Sequence, residues 1–324
     1  MDILKLGTRG SPLALYQAHT VARLLRERAG VTCEIVIITT AGDRLADAAL
    51  SDVGGKRLFV KEIEDALIGG AIDIAVHSSK DMPAEQPDGL RIGAVLPRED
   101  ARDAVVLPRT YDGTRSLDAV LAHLGRAPRI GTSSVRRSAQ LTRLFPGAQF
   151  LPVRGNLDTR LRKLDEGHTY DAIVLASAGL IRLERGDRIT APIPVTACVP
   201  APGQGIIAVE ARSTDAHVLG AVASINDAAA AAALTAERVV VTRLGGGCQM
   251  PIGAHAVHEG TTLSLTAIVI SVDGAKDARA DAQGSAADAQ AVGMAVAEQL
   301  LTRGAGAILA DVQRAQVAAE GLRS

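Results

Sequence analysis

Apolar positions along the first 200 residues alternate between short uninterrupted runs and longer stretches with helical spacing. Residues 3–8 and 33–39 are short runs, the second rich in β-branched side chains, and both predict buried strands. Between them, apolar residues recur at helical spacing to about Arg28, after Ser11 and Pro12, which form a typical helix start. This order of strand, helix and strand predicts an α/β domain.

The same rhythm returns in the middle third of the chain. A helix at 58–68 and a strand at 72–76 belong to the first unit, and the middle third adds strands at 129–131, 149–153 and 172–175 and helices at 134–144, 156–166 and 176–183. A weak internal similarity relates Asp73 and the apolar residues after it to Asp171 and its successors. We therefore expect two α/β lobes that face a cleft.

The pattern changes after a proline-rich segment at 189–209. The segments that follow are an alanine-rich helix at 227–244, alternating strands at 252–257 and 262–269, a helix at 286–301 and a last apolar stretch at 308–312. They predict a smaller α+β domain. The predicted domains are 1–101 with 198–218 (lobe 1), 102–197 (lobe 2) and 219–324 (the third domain).

Composition narrows the possible functions of this 324-residue chain. It has no Trp, three Tyr and three Phe, and its formal net charge is −1, which disfavours a nucleic-acid groove of stacked aromatics. The uncharged run at 189–209 contains four prolines, so it does not predict a membrane helix, and no secretory signal is visible. We expect a cytoplasmic monomer with no nucleic-acid, membrane or metal partner.

Basic residues are concentrated between Arg126 and Lys163, where nine of them accompany one acid. Arg136 and Arg137 fall in the first turn of a predicted helix, where two adjacent cations are unfavourable unless an anion lies between them. Arg154 lies just before another predicted helix, and Arg160 lies within that helix. Ligands of open α/β sheets gather at the carboxyl ends of strands, so a polyanionic ligand is predicted, with a solvated basic helix face as the alternative.

Two further segments carry reactive side chains. The strand predicted at 72–76 runs into HSSKDMP, which offers Lys80 and Asp81 at a strand end, although an ordinary polar loop has the same composition. Near the start of the third domain, three glycines precede Cys248 and let the backbone present its thiol; a small buried cysteine is the alternative. Cys33 and Cys198 fit that buried alternative, and three distant cysteines do not predict a disulfide framework.

These segments together resemble the porphobilinogen deaminase (hydroxymethylbilane synthase) family over essentially the whole chain. The matching segments are TRGSPLAL at 8–15, GGKRLFVKE at 54–62, HSSKDMP at 77–83, GTSSVRR at 131–137, RGN with TRL at 154–161, PAPGQG at 200–205 and GGCQMPIG at 246–253. The resemblance implies two α/β lobes like those of periplasmic binding proteins around a cleft, with a smaller C-terminal α+β domain.

The resemblance also implies an activity. The family is a transferase of tetrapyrrole and heme biosynthesis that condenses four porphobilinogen molecules head to tail with release of ammonia. It does so on a dipyrromethane cofactor, one per chain, held by a thioether that would involve Cys248, and then hydrolyses the product to hydroxymethylbilane. Asp81 matches the catalytic aspartate.

The remaining site residues follow from the same motif matches. Those implied for the carboxylates of the cofactor are Lys80, Ser134, Arg136 and Arg137. Those implied for porphobilinogen or the growing chain are Arg9, Ser11, Arg154, Arg160 and Arg182. Two positions depart from the family pattern: Ser79 replaces an apolar residue, and Gly245 replaces a glutamate and is expected to loosen the cofactor loop. The competing hypothesis is a non-catalytic two-lobed protein that binds a polycarboxylate.

Overall fold

A computed structural model describes residues 3–44, 59–247 and 250–321 of the chain. In chain order, the strands are β1 (Leu4–Thr8), β2 (Cys33–Ile37), β3 (Ile74–Ser78), β4 (Leu90–Val95), β5 (Asp103–Val106), β6 (Arg129–Gly131), β7 (Gln149–Leu151), β8 (Ala172–Ala176), β9 (Ala191–Pro192), β10 (Ile207–Arg212), β11 (Ile252–Glu259), β12 (Thr262–Ile270) and β13 (Asp277–Ser285).

Helices cover the sheets of all three parts. They are α1 (Pro12–Ala29), α2 (Ala41–Arg44), α3 (Lys61–Ile68), α4 (Leu117–Leu124), α5 (Val135–Leu144), α6 (Leu157–Asp165), α7 (Ser177–Arg182), α8 (Ala216–Ala223), α9 (Ala228–Arg243), α10 (Ala289–Thr302) and α11 (Ala305–Gly321). Short 3-10 turns lie at Ser79–Asp81, Gly186–Arg188 and Ala286–Asp288.

Lobe 1 is built on a five-stranded sheet in the order β2-β1-β3-β10-β4. Strands β1, β2 and β3 are parallel, and β10 returns antiparallel between β3 and β4 after the chain has passed through lobe 2. The largest core of this lobe lies between the sheet and α1, where Leu6, Val21 and Leu25 are fully buried. Helix α1 begins where the sequence predicts, because the Ser11 hydroxyl accepts a hydrogen bond from the Ala14 amide at 3.3 Å.

Lobe 2 repeats this arrangement with the order β7-β6-β8-β5-β9. Strands β6, β7 and β8 are parallel, whereas β5 runs antiparallel to β8. In each lobe the carboxyl ends of three parallel strands therefore meet at one edge of the sheet. The predicted α/β class is thus confirmed, and each lobe offers the edge at which ligands of such sheets gather.

The third domain is an antiparallel meander of β11, β12 and β13 packed against α9, α10 and α11. Ile268 and Ile270 on β12 instead pack against Ala139 and Val199, so this domain also contacts lobe 2 and the chain that leaves it. Strand β13 was not predicted, because its sequence DARADAQGS is largely polar and small. The stretch at 308–312, which we predicted only as apolar, lies inside α11.

Helix α8 bears on the predicted domain bounds. Its Val218 and Val222, with Ile225 just beyond it, belong to the core of lobe 1. A boundary between residues 218 and 219 would therefore cut through a helix whose apolar face packs on the lobe 1 sheet. We propose the domains as predicted, with lobe 1 extended to Ile225.

Within the described ranges, no single helix is both long and apolar enough to cross a bilayer. Helices α8 and α9 satisfy the length and composition test as a pair, but they are bent by 114° at their junction.

Candidate functional site

The predicted cations and Asp81 come from the carboxyl ends of strands in both lobes. Lys80 and Asp81 form the 3-10 turn that follows β3, while Ser134 caps the helix that follows β6. Arg154 follows β7, and Arg160 lies in α6. Lys80 of lobe 1 is near enough to Arg137 of lobe 2 for their like charges to repel each other, and Asp81 is near enough to Arg160 to attract it. The structure therefore brings these side chains together across the space between the lobes, which we call the cleft.

Lys80 lies in an environment that disfavours its charge. Burial lowers the pKa of the Lys80 ammonium to about 8; the adjacent Asp81 carboxylate opposes this shift, whereas Arg137 and Arg136 add to it. A bound carboxylate would relieve the same repulsion. The low pKa therefore marks a place where an anionic ligand gains binding energy.

Arg160, in lobe 2, also lies in an environment that disfavours its charge. Its Nε donates to the Gly155 carbonyl at 2.8 Å, which holds the guanidinium at the start of α6. Burial lowers the pKa of Arg160 to about 10, Arg137 and Arg154 lower it further, and Asp81 opposes them. Asp81 thus lies among cations from both lobes.

A buried carboxylate holds the two adjacent arginines of α5. Asp103 is fully buried at the start of β5; its Oδ2 accepts from Arg136 Nη1 at 2.7 Å, and its Oδ1 accepts from Arg137 Nε at 2.9 Å. An internal aspartate, which the sequence analysis did not foresee, therefore bonds to both arginines. Because one carboxylate faces two guanidinium groups, the prediction of an anionic ligand beside them stays a prediction. Gln204 Nε2 adds a third bond to Asp103 at 2.9 Å and connects the group to the return segment of lobe 1.

This network depends on the charge of Asp103. Burial alone would raise the pKa of the Asp103 carboxyl, but Arg136 and Arg137 outweigh it and hold that pKa far below its ordinary value. A carboxyl with a depressed pKa contributes stability at pH values above its unfolded pKa, near 4, and loses it as the pH falls further. At neutral pH the contribution is fully present.

We expect Asp103→Asn to destabilise the protein by about 3 kcal/mol, because it leaves two buried guanidinium groups without their counter-charge. The urea midpoint at pH 7 measures this loss. Asp112→Asn, in an exposed loop of the same lobe, is the matched control and should leave the midpoint unchanged. Equal midpoints for the two variants would contradict the structural role of Asp103.

Three predicted site residues have internal partners in the structure. Arg9 Nε donates to Asp43 at 3.0 Å, and its guanidinium carbon lies 4.4 Å from the centre of the Phe59 ring. The Ser11 hydroxyl serves as the cap of α1. Arg182 is buried and donates from Nη2 to the Gly205 carbonyl at 2.7 Å, so it ties lobe 2 to the segment that re-enters lobe 1.

Cys248 and the neighbouring Gln249 lie outside the described residues. The two other thiols are protected from reaction: burial raises the pKa of Cys198 to about 12 and that of Cys33 to about 11. Both are therefore protonated at neutral pH, when only the thiolate is a good nucleophile. Cys198 is fully buried as predicted, whereas Cys33 is half-buried at the first position of β2.

The two departures from the family pattern are Ser79, next to Lys80, and Gly245, three residues before Cys248. Gly245 follows α9 with φ 63° and open space around it, a conformation that costs other residues about 1–2 kcal/mol. Glycine is therefore well suited to end α9 here. Ser79 is buried against Gly203. A Cβ added at Gly203 would lie only 2.6 Å from the Ser79 hydroxyl oxygen.

Sequence reasoning missed two buried polar groups next to the site. Asp103 could have been found, because a charged residue at the head of the apolar run 104–107 is unusual. The second is the pair of His77 and Glu210, whose Nε2 and Oε2 lie 3.4 Å apart between β3 and β10. These two residues are 133 positions apart, so their pairing depends on the antiparallel return of β10.

Comparison with known proteins covers both the cleft and the third domain. A family model described as "Porphobilinogen deaminase, dipyromethane cofactor binding domain" matches residues 4–220, and one described as "Porphobilinogen deaminase, C-terminal domain" matches residues 231–302. The porphobilinogen deaminase of Geobacter metallireducens is 44% identical over 318 residues, which cover 98% of this chain and 97% of that protein. That of Moorella thermoacetica is 47% identical over 312 residues and covers 96% of each.

Among solved structures, substrate-binding domain 2 of GlnP from Lactococcus lactis can be superposed on this chain. The superposition covers 69% of this chain and 87% of the GlnP domain. The TM-score is 0.43 at 11% sequence identity, a likeness too remote to bear on function.

Proposed function

Because this chain belongs to the porphobilinogen deaminase family, we propose that the residues around Asp81 carry out the family's reaction in the cleft. The enzyme is a transferase of tetrapyrrole synthesis that condenses porphobilinogen to hydroxymethylbilane with a dipyrromethane cofactor. A non-catalytic binding protein, the alternative that the sequence left open, is therefore disfavoured. The observation that supports the location of the site is that Lys80 and Asp81 of lobe 1 lie within electrostatic range of Arg137 and Arg160 of lobe 2.

The cleft suits a ligand that carries several carboxylates. Porphobilinogen has an acetate and a propionate side chain, so dipyrromethane carries four carboxylates and each added unit brings two more. Five basic side chains surround two carboxylates here, and burial strengthens their interaction with a bound anion. The residues proposed to hold the cofactor are Lys80, Ser134, Arg136 and Arg137. When bound, dipyrromethane supplies the terminal pyrrole carbon to which the first porphobilinogen is joined.

Asp81 is the proposed catalytic residue. Loss of ammonia from porphobilinogen leaves a cationic methylene-pyrrole, and a fixed carboxylate stabilises that developing charge. The 3-10 turn after β3 holds Asp81 directly after a strand of the sheet, with the cations Lys80 and Arg160 near it. Its carboxylate is thus placed to act as a counter-charge.

The proposed contacts for substrate and growing chain lie around this point. They are Arg9, Ser11, Arg154, Arg160 and Arg182. Arg9 and Arg182 already bond to Asp43 and the Gly205 carbonyl, so a substrate carboxylate at either residue would use the remaining N–H donors of the guanidinium group. Cys248 is the proposed attachment point of dipyrromethane, which the inert state of the other two thiols supports.

Arg160→Leu tests the location of the substrate site. We expect the KM for porphobilinogen to rise about 10- to 100-fold with the cofactor still attached, because a charge-assisted bond to a carboxylate contributes about 1.5–3 kcal/mol. Steady-state kinetics on protein of verified mass measures the change. Arg162→Leu on the exposed face of the same helix is the control, and equal KM values for both variants would contradict the assignment.

Cofactor assembly should depend on the protonation of Lys80. Since its pKa is about 8, we expect apoprotein mixed with porphobilinogen to acquire its cofactor several-fold more slowly at pH 9 than at pH 7. Lys80→Arg keeps its charge over this range, so the ratio of its assembly rates at pH 7 and pH 9 should be closer to one. The time course of intact mass measures both, and an equally steep dependence in Lys80→Arg would exclude Lys80 as the titrating group.

The lowered pKa of Lys80 also affects the stability of the fold, which rises with pH, whereas cofactor assembly slows. Folded Lys80 loses its proton near pH 8, whereas the unfolded side chain keeps it to about 10.5. Burial of the ammonium therefore costs stability below pH 8, and this cost disappears as the pH rises towards 10.5.

Cytoplasmic location, a monomeric state and the absence of nucleic-acid or membrane partners remain predictions from composition and resemblance. Light scattering on a size-exclusion column tests the monomeric state.

A further inference from the structure

Helix α5 lies between lobe 2 and the third domain. On one side, its Leu141 is fully buried in the core of lobe 2. On the other side, its Ala139 packs with two isoleucines of β12, in the third domain. The first turn of the same helix carries Arg136 and Arg137, the arginines proposed to hold the carboxylates of the cofactor. The third domain therefore contacts the helix that presents two of the proposed cofactor residues.

The turn that joins β12 to β13 binds the carboxyl end of α5. Arg143 Nε donates to the Gly274 carbonyl at 2.9 Å, and Arg143 Nη2 donates to Asp277 Oδ1 at 2.6 Å. Gly274 has φ 73°, and a Cβ added there would lie 2.9 Å from the Ala139 carbonyl oxygen, so this close approach requires glycine. We call the contact of these four residues the α5 clamp.

The turn of the α5 clamp is ordered by its own hydrogen bonds. The Ser271 amide donates to the Lys276 carbonyl at 2.8 Å, and the Lys276 amide donates to the Ser271 hydroxyl at 2.9 Å. The Gly274 amide donates to the Ser271 carbonyl at 2.9 Å. Because these bonds involve no residue of α5, the turn does not depend on that helix for its shape.

A second connection leads from the third domain to Arg136. Arg136 Nη1 donates to the Val199 carbonyl at 2.7 Å. The carbonyl of the next residue, Pro200, accepts a hydrogen bond from the Ala254 amide of β11 at 3.0 Å. Ala254 follows Cys248, the proposed attachment point of dipyrromethane, by six residues. Both ends of α5 are therefore linked to the domain that carries Cys248.

We propose that the α5 clamp positions the two arginines at the start of α5 relative to Cys248, which makes Arg143 a positioning residue for cofactor assembly. This inference rests on the proposed function, because it requires dipyrromethane to be held both by a thioether and by arginines of α5. A displacement between these two points misaligns every contact of the ligand. The pair of Arg143 and Asp277 is 47% and 27% exposed, so its removal is expected to cost little stability.

The test measures how fast apoprotein acquires its cofactor. Each variant is mixed with saturating porphobilinogen at pH 7, and intact mass follows the gain of two porphobilinogen molecules less two of ammonia. We expect acquisition to slow about tenfold in Arg143→Met and about threefold in Asp277→Asn. The double variant should be no slower than Arg143→Met, because both changes break the same contact. Arg129→Met is the matched control, since Arg129 is 42% exposed and pairs with Asp171 at 2.7 Å within lobe 2.

Two further measurements on the apoproteins need no cofactor. Urea midpoints should agree between Arg143→Met and Arg129→Met, and hydrogen exchange of the α5 amides should be faster in Arg143→Met alone. Acquisition at the wild-type rate in Arg143→Met overturns the inference, as does equal slowing in Arg129→Met. Multiplied losses in the double variant would show that Arg143 and Asp277 act separately, which also contradicts the clamp. A wild-type apoprotein that gains no mass overturns the proposed function itself, a result distinct from equal rates in wild type and variant.

Discussion

Cys248→Ser protein incubated with porphobilinogen and freed of unbound ligand is expected to keep its unmodified mass. A serine hydroxyl remains protonated at neutral pH and is a poor nucleophile, so the covalent bond to the first pyrrole does not form. The wild-type protein should gain the mass of two porphobilinogen molecules less two of ammonia. Without the anchor, turnover should fall by at least about 1,000-fold. Intact-mass spectrometry and the rate of hydroxymethylbilane formation measure the two effects.

Cys33→Ser is the matched control for this experiment. Burial raises the pKa of the Cys33 thiol to about 11, so its replacement should alter neither the mass increment nor the rate. A full increment in Cys248→Ser would assign the attachment to another residue. Loss of the increment in Cys33→Ser with an unchanged urea midpoint would do the same.

Asp81→Asn should leave the protein folded and loaded with cofactor but lower kcat by about 100- to 1,000-fold. The amide keeps the shape of the side chain and removes the negative charge that stabilises the cationic intermediate, and loss of one preorganised electrostatic contact has effects of this size. Single-turnover kinetics on protein of verified mass separates this loss from weaker binding of porphobilinogen.

The control is Asp88→Asn, seven residues further along and exposed to solvent. It should behave as wild type in mass, stability and rate. Wild-type kcat in Asp81→Asn would remove Asp81 from the mechanism. A large fall in the urea midpoint would show that the residue supports the fold instead, so thermal and urea unfolding are measured on the same samples.

Most secondary structure could be read from local sequence. The helix predicted from Ser11 to Arg28 occupies Pro12–Ala29, and the strand predicted at 129–131 occupies those residues. Both depend on local causes, a capping serine followed by proline and a short apolar run, so the prediction needed no tertiary information. Strand β13 lacks such a signal, since small polar residues are held there by pairing with β12.

The candidate site could be predicted only in part from the local sequence. Motif resemblance identified Lys80, Asp81 and the arginines, and the fold brings Lys80, Asp81, Arg137 and Arg160 together. It did not reveal that Asp103, inside lobe 2, forms ion pairs with both Arg136 and Arg137. The local rule about two cations at a helix start correctly required an anion, but no local rule shows whether that anion is a ligand or a side chain 33 residues away.

The sequence by itself determined the class of fold and the family and predicted the reactive groups, because periodicity, capping and motif chemistry are local properties of the chain. The tertiary structure decided which charges meet. The insertion of lobe 2 between β4 and β10 brings Glu210 beside His77 and places Gln204 against Asp103. The facing sheet edges bring Arg160 to Asp81. Electrostatic energies depend on distance and burial, and both quantities arise only when separate parts of the chain pack together.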